Sequence, residues 1–222
     1  MTTYYPMMVK LQGKRCVVVG GGAVAERKVR GLLEGGADQV QVIAPAAAPG
    51  LLDLAEGSRC IRLVQREYRE GDLHGAFLVM AATDDRLVNE AIAAAADRLG
   101  ILANTAHQGD EGSFLSPSAV RRGELLLAVT TGGASPALAG MIGQELSRQF
   151  GEQYADLVER LRLLREHVLA NVEDRTLRAA ILRQAAQEAV SLGKESERRE
   201  AIPPERIEEW MMRLRQAAER SG

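Results

Sequence analysis

Four stretches of the chain carry residue types suited to ligand chemistry. The first is Gly20-Gly21-Gly22-Ala23-Val24-Ala25, directly after the β-branched run Val17-Val18-Val19. It fits G-x-G-x-x-A, with Gly20, Gly22 and Ala25 in the three fixed places. The chemistry demands those types. Gly20 permits a tight turn, Gly22 lets backbone approach a pyrophosphate, and Ala25 lets a helix close on a strand. A helix starting there turns its unpaired N–H groups and positive dipole end toward phosphates. Taken alone, the pattern fits either a dinucleotide site or a tight turn only. The acidic residue that would bind an adenosine ribose is missing from the end of the next strand, which reads Ile43-Ala44-Pro45-Ala46. No Arg stands there for a 2′-phosphate, so this rule leaves NAD and NADP undecided.

The second stretch, Thr83-Asp84-Asp85, follows a continuous apolar run. It lies on the ligand-binding edge of a parallel sheet, or it caps a helix through Thr83 or Asp84, and the two readings are compatible. The third, Thr130-Thr131-Gly132-Gly133-Ala134-Ser135-Pro136, joins two glycines, flanking hydroxyls and a helix start. That is the composition of an anion cradle, or of a plain loop before a capped helix, with Arg121 and Arg122 upstream to neutralise carboxylates. The fourth is Asn104-Thr105-Ala106-His107, with Asp110 shortly after. A single histidine at a strand's carboxyl end is either structural or part of the site.

These residues need elements to place them. Cys16–Val19 reads as a buried parallel strand, and residues 23–34 as a helix with Val24, Lys28, Leu32 and Leu33 at helical spacing. Gly35-Gly36 stops it. Strands are expected at 40–44, 61–65, 77–82 and 101–103, with an Ala-rich helix at 84–99. Strand and helix in alternation imply a parallel sheet with right-handed crossovers. After Gly112 the pattern changes: 113–121 and 124–130 read as a hairpin or exchanged strands around Arg122-Gly123, and Ser135-Pro136 opens a helix to about 150. From Gly151 onward the chain reads as helical, with an apolar stripe at Leu157, Leu161, Leu164 and Val168. A charged linker is expected at 193–200. A last helix from Pro203-Pro204 carries Ile207, Trp210, Met211 and Leu214 on one face. The fold class is therefore α/β: an N-terminal Rossmann-like parallel sheet over 1–112, a small α+β segment over 113–150, and a helical domain over 151–222.

Composition bounds the function. Of 222 residues 46% are hydrophobic and 26% charged, which excludes a disordered or disulfide-scaffolded chain. Lys+Arg at 28 nearly balance Asp+Glu at 30, without the basic excess of a nucleic-acid binder. Cys16 and Cys60, each beside an apolar run, read as buried reduced thiols, and two Cys with three His make a poor zinc set, so no metal site is assigned. No apolar run is long enough to span a bilayer and Met1–Leu11 lacks a signal-peptide pattern, so a cytoplasmic protein is expected.

Taken in order, several motifs resemble one family. They are Tyr5-Pro6-Met7 with Leu11; Gly20 to Lys28, reading GGGAVAERK; Ala81-Ala82-Thr83-Asp84-Asp85; Asn89; and Gly112-Ser113-Phe114 through Pro117, Arg122-Gly123 and Ala128 to Pro136. The chain is similar here to precorrin-2 dehydrogenases, the dehydrogenase module of siroheme synthases, closely over residues 5 to about 150. The resemblance implies NAD-dependent oxidation of precorrin-2 to sirohydrochlorin in siroheme (porphyrin, tetrapyrrole) biosynthesis. In some members the same site also inserts ferrous iron, a ferrochelatase activity. It further implies a homodimer joined through residues 113–150. Cofactor contacts would come from Gly20, Gly21, Gly22, Ala23, Val24, Pro45 and Ala46, with Thr83 and Asn104 near the nicotinamide. Substrate contacts would come from Ser113, Arg121, Arg122, Thr131, Gly132, Gly133 and Ser135. The length leaves no room for the fused methyltransferase of some members, so uroporphyrinogen methylation is expected of another protein.

One departure stands out. The family pattern has an Asp three residues after the strand-five Asn, where this chain has His107. Either the imidazole acts as base or metal-handling group, or Asp110 supplies the carboxylate. The change bears on chelation more than on dehydrogenation, because the cofactor carries the hydride chemistry. Two other function classes fit the same residues: an NAD(H)-sensing regulatory module without turnover, and a chelatase lacking dehydrogenase activity.

Overall fold

A computed structural model describes residues 3–106, 112–194 and 207–220. The chain forms two compact units, Met1–Ser116 and Pro117–Gly222.

The first unit is a five-stranded, all-parallel sheet in the order β3-β2-β1-β4-β5, built from β1 (Arg15–Val19), β2 (Gln39–Ile43), β3 (Ile61–Val64), β4 (Leu78–Ala81) and β5 (Leu102–Thr105). The helices are α1 (Ala23–Glu34), α2 (Pro49–Gly57) and α3 (Arg86–Arg98), with a 3-10 turn at Glu70–Leu73 before β4. Strand β1 shows why the sheet is buried on both sides. Cys16 and Val18 enter a core with Ala25, Val29 and Leu32 of α1 and Leu51 of α2. Val17 and Val19 enter a second core with Ile92, Ala95 and Ala96 of α3. A strand covered on both faces needs an unbroken apolar run rather than an alternating one. The order doubles back between β2-β3 and β4-β5, which puts the switch point at β1 and β4.

Several boundaries differ from the sequence expectation. The buried stripe of α1 is Ala25, Val29 and Leu32, whereas Val24 is exposed and Lys28 half-buried. Small Ala25 lets the helix approach β1 closely, and this sets the face. Strand β5 runs on to Thr105, so Asn104 lies inside the strand and is buried. Helix α2, with Pro49 in its first turn, and the 3-10 turn were not anticipated; α2 fully buries only Leu51, too little to leave an apolar period. Residues 113–117 are not strand. Pro117 offers no N–H to a ladder, and the hairpin starts only at Ser118. Cys16 is buried and Cys60 half-buried, both as free thiols.

The second unit opens with the antiparallel pair β6 (Ser118–Arg122) and β7 (Leu125–Val129), joined at Gly123 with φ 56°. Helix α4 (Pro136–Gln149) follows, and Gly143 brings it so close to β6 that a Cβ there would lie 2.3 Å from Ser118 Oγ. Helices α5 (Gln153–Asn171), α6 (Arg175–Lys194) and α7 (Ile207–Arg220) pack around Leu164, Val168, Ile181, Trp210 and Leu214. Most of the expected linker and Pro203-Pro204 lie outside the described residues.

Candidate dinucleotide site

The carboxyl ends of β1, β2, β4 and β5 form the rim on which most of the sequence-predicted cofactor residues meet. At the end of β1, Gly20 N donates to Ile43 O at 2.9 Å, and Ala82 N donates to Val19 O at 2.7 Å. Gly20 has φ 128°, and a Cβ there would lie 2.2 Å from the Ala82 carbonyl oxygen. Only glycine fits that backbone and that gap. Gly21 abuts the next loop, where a Cβ would lie 1.9 Å from Ala46 O, and its own carbonyl accepts Ala48 N at 2.8 Å. Gly20 and Gly21 thus fasten the turn to the ends of β4 and β2.

Gly22 is different. Nothing lies within 4 Å of the position its Cβ would take. It is the N-cap of α1 in extended geometry, φ −85° and ψ −174°, without a side-chain capping bond. The helix start is therefore open to an incoming anion at backbone range, the arrangement a pyrophosphate requires. At the end of β2 the chain passes through buried Ala44 and exposed Pro45 and Ala46 with no acidic side chain.

Beyond β4, Thr83 is locked to Asn89. Asn89 Oδ1 accepts from Thr83 N at 3.2 Å and from Thr83 Oγ1 at 2.9 Å, and Asn89 Nδ2 donates to Thr83 O at 2.9 Å. The cap of α3 is Asp85, whose carboxylate accepts from Leu87 N at 2.8 Å and Val88 N at 3.3 Å, not Thr83 or Asp84. Thr83 is thereby left as a shaped part of the rim. Asn89 is 1% exposed. Its signal in the sequence was a polar residue on the stripe it shares with Ile92, Ala93 and Ala96 of an Ala-rich helix.

At the end of β5, Lys28 Nζ of α1 donates to Asn104 Oδ1, and Asn104 Nδ2 donates to Phe114 O at 2.9 Å. Ser113 closes the same corner: its N donates to Ala103 O at 2.8 Å and its Oγ accepts Ala103 N at 2.8 Å. Burial first, and then the charge of Arg27, lower the Lys28 pKa to about 8. His107 and Asp110 lie outside the described residues. Among the described residues no group of three or more His, Cys, Asp or Glu is placed to hold a metal ion.

The remaining predicted residues belong to the second unit. Gly132 and Gly133 adopt φ 63° and 88°, Thr130 Oγ1 accepts Gly132 N at 3.1 Å, and Thr131 Oγ1 accepts Ser135 N at 2.9 Å. Ser135 caps α4 by accepting Leu138 N at 3.2 Å. The two threonines therefore spend acceptors on shaping the loop. Arg121 is exposed. Arg122 is engaged: it donates to Ser147 Oγ at 2.8 Å and Ser147 O at 3.1 Å, and its Nε lies 3.3 Å from Glu152. It ties the hairpin to α4 and α5.

A doubly wound parallel sheet, with G-x-G-x-x-A opening onto an uncapped helix at its switch point, defines a Rossmann-type dinucleotide-binding unit. Residues 7–118 match the family described as "Putative NAD(P)-binding", and the chain belongs to that NAD(P)-binding family. Siroheme synthase of Chromobacterium violaceum is 40% identical over 166 residues, which is 70% of this chain and 35% of that protein. Siroheme synthase of Methylococcus capsulatus is 40% identical over 165 residues, 74% of this chain and 34% of that protein. The chain spans about a third of the length of these curated relatives. Among solved structures, SirC, a precorrin-2 dehydrogenase, superposes with a TM-score of 0.72 at 27% identity, covering 96% of this chain and 100% of that one. No helix among the described residues is long and apolar enough to cross a membrane.

Proposed function

We propose that this protein is an NAD-dependent oxidoreductase that dehydrogenates precorrin-2 to sirohydrochlorin in siroheme biosynthesis. The observation that carries the reading is the likeness to a precorrin-2 dehydrogenase over that protein's whole length, joined to a dinucleotide rim built from this chain's own residues. The ring system loses a hydride and a proton, and bound NAD⁺ supplies the hydride acceptor. The residues present fit that group: Gly22 leaves open exactly the space a Cβ would fill, at the start of α1.

In this reading Gly20, Gly21, Gly22, Ala23 and Val24 hold the pyrophosphate, and Pro45 and Ala46 line the adenosine half. The Ala44–Ala46 end of β2 carries neither an acid for the ribose nor an Arg for a 2′-phosphate, so the choice of NAD rests on the likeness to the precorrin-2 dehydrogenase. Thr83, fixed by Asn89, and Asn104, fixed by Lys28, set the floor of the nicotinamide half. A polycarboxylate substrate is met by Ser113, Arg121 and the loop Thr131, Gly132, Gly133 and Ser135, while Arg122 keeps the hairpin beneath that loop in place. His107 or Asp110 takes the departing proton. The active form is a homodimer joined through residues 113–150, and the enzyme works in the cytoplasm. Incubation with precorrin-2 and NAD⁺ tests the proposal: NADH and the sirohydrochlorin spectrum should appear together. NAD⁺ binding without turnover would instead favour a sensing module, and metal insertion into sirohydrochlorin without dehydrogenation a chelatase.

A further inference from the structure

We propose that the Lys28 ammonium is a binding group for a substrate carboxylate on the nicotinamide side of the rim. The proposal rests on the tetrapyrrole reading above and names a contact within it. Lys28 sits in the second turn of α1, the helix whose start forms the phosphate cradle. Helical side chains lean toward the helix N-terminus, so its head group is carried back to the rim. There it meets Asn104 Oδ1. The orientation of that amide is fixed from the other side, because Asn104 Nδ2 donates to Phe114 O at 2.9 Å.

The charge of Lys28 is not explained by this contact. An ammonium carries three donors, and the amide oxygen takes one. A neutral amide does not compensate a half-buried cation, and no carboxylate among the described residues pairs with Lys28. A structural tie between α1 and β5 would be served as well by an uncharged donor. An anion arriving from solution would give that charge the partner that none of the described residues provides.

Position decides which anion. In the order β3-β2-β1-β4-β5, Asn104 lies on the edge strand opposite the β2 side. A dinucleotide lying across the switch point places its adenosine half over β2 and its nicotinamide half over β4 and β5. The anion beside Lys28 is therefore on the reacting partner, and a tetrapyrrole with carboxylate arms supplies one.

The test uses the full chain with Lys28→Gln, which keeps a donor for Asn104 and removes the charge, and Lys28→Arg, which restores it. Lys28→Gln should raise the KM for precorrin-2 about tenfold or more, as expected for loss of a charge-assisted contact. The Kd for NAD⁺ and the thermal midpoint should stay close to wild type, and Lys28→Arg should recover part of the loss. Equal KM in wild type and Lys28→Gln would overturn the proposal, as would a parallel loss of NAD⁺ affinity, which would assign the lysine to the pyrophosphate. Equilibrium binding of sirohydrochlorin to the NAD⁺-bound proteins separates the two layers. If wild type fails to turn over precorrin-2 but binds sirohydrochlorin in a Lys28-dependent way, the carboxylate contact stands and the dehydrogenase reading falls. Binding that ignores the substitution, or no binding at all, overturns the contact.

Discussion

The three glycines after β1 have different jobs, and alanine substitutions should separate them. At Gly22 the added methyl meets no protein atom within 4 Å, and φ −85° with ψ −174° is open to alanine. Reduced freedom of the unfolded chain favours the variant by about 0.4–1 kcal/mol. Loss of a residue type preferred at N-caps offsets this by roughly the same amount. Net stability should therefore lie within about 1 kcal/mol of wild type. The methyl does, however, occupy the approach to the α1 N-terminus. NAD⁺ affinity should fall at least about tenfold, equivalent to about 1.4 kcal/mol. At Gly20 the methyl would lie 2.2 Å from the Ala82 carbonyl oxygen, on a backbone with φ 128°. Backbone strain of about 1–3 kcal/mol adds to overpacking of about 1–3 kcal/mol, so the loss should be about 2–6 kcal/mol. Thermal melts and NAD⁺ titration of Gly20→Ala and Gly22→Ala decide the matter. A Gly22→Ala protein that binds NAD⁺ like wild type, or a Gly20→Ala protein that melts like wild type, would refute the reasoning.

Three further outcomes follow from the same geometry. Asn89→Leu removes the three bonds between Thr83 and the Asn89 amide, leaving only the Thr83 Oγ1 bond to Asp85 O at 3.0 Å, so chemical denaturation should show a loss of about 1–3 kcal/mol or more, with NAD⁺ binding weakened as well. The free-enzyme kcat/KM for precorrin-2 should fall as pH rises through about 8, the pKa to which burial and Arg27 lower Lys28, while Lys28→Arg stays flat across that range. Asp72 has its pKa lowered by its paired bonds to Arg66, at 2.6 and 2.8 Å, and by Arg69 N at 2.8 Å. A carboxylate with a lowered folded pKa stabilises the fold above its unfolded pKa and loses that contribution as pH falls through the folded one. Asp72→Asn should thus be less stable than wild type at neutral pH, and the gap in melting temperature should close in acid.

Much of the first unit was legible because its physics is local. A strand buried on both faces must be continuously apolar, so Val17-Val18-Val19 and the run into Ala82 declared themselves. Helix α1 begins and ends where glycines dictate. The G-x-G-x-x-A spacing was informative because only small residues survive the close approaches now seen at Gly20 and Gly21. What was hidden depends on contacts distant in sequence. The spacing of Val24, Lys28, Leu32 and Leu33 finds the buried Leu32, but the fit of Ala25 against β1 brings Val29 inward in place of Val24 and Lys28. Asn104 was expected just beyond its strand, and the partners that hold it, Lys28 and Phe114, are 76 residues before and 10 after it. Arg122 looked like a free cation, and its engagement with Ser147 across 25 residues is invisible to spacing.

Oxidation of a tetrapyrrole by this NAD(P)-binding chain is the proposal tested most directly by one measurement. Purified protein is mixed anaerobically with precorrin-2 and NAD⁺, and NADH and the tetrapyrrole spectrum are followed together. The proposed dehydrogenation yields one NADH for each sirohydrochlorin formed, and should run much more slowly in Gly22→Ala. Unchanged spectra in the wild-type reaction, with NAD⁺ demonstrably bound, would contradict it.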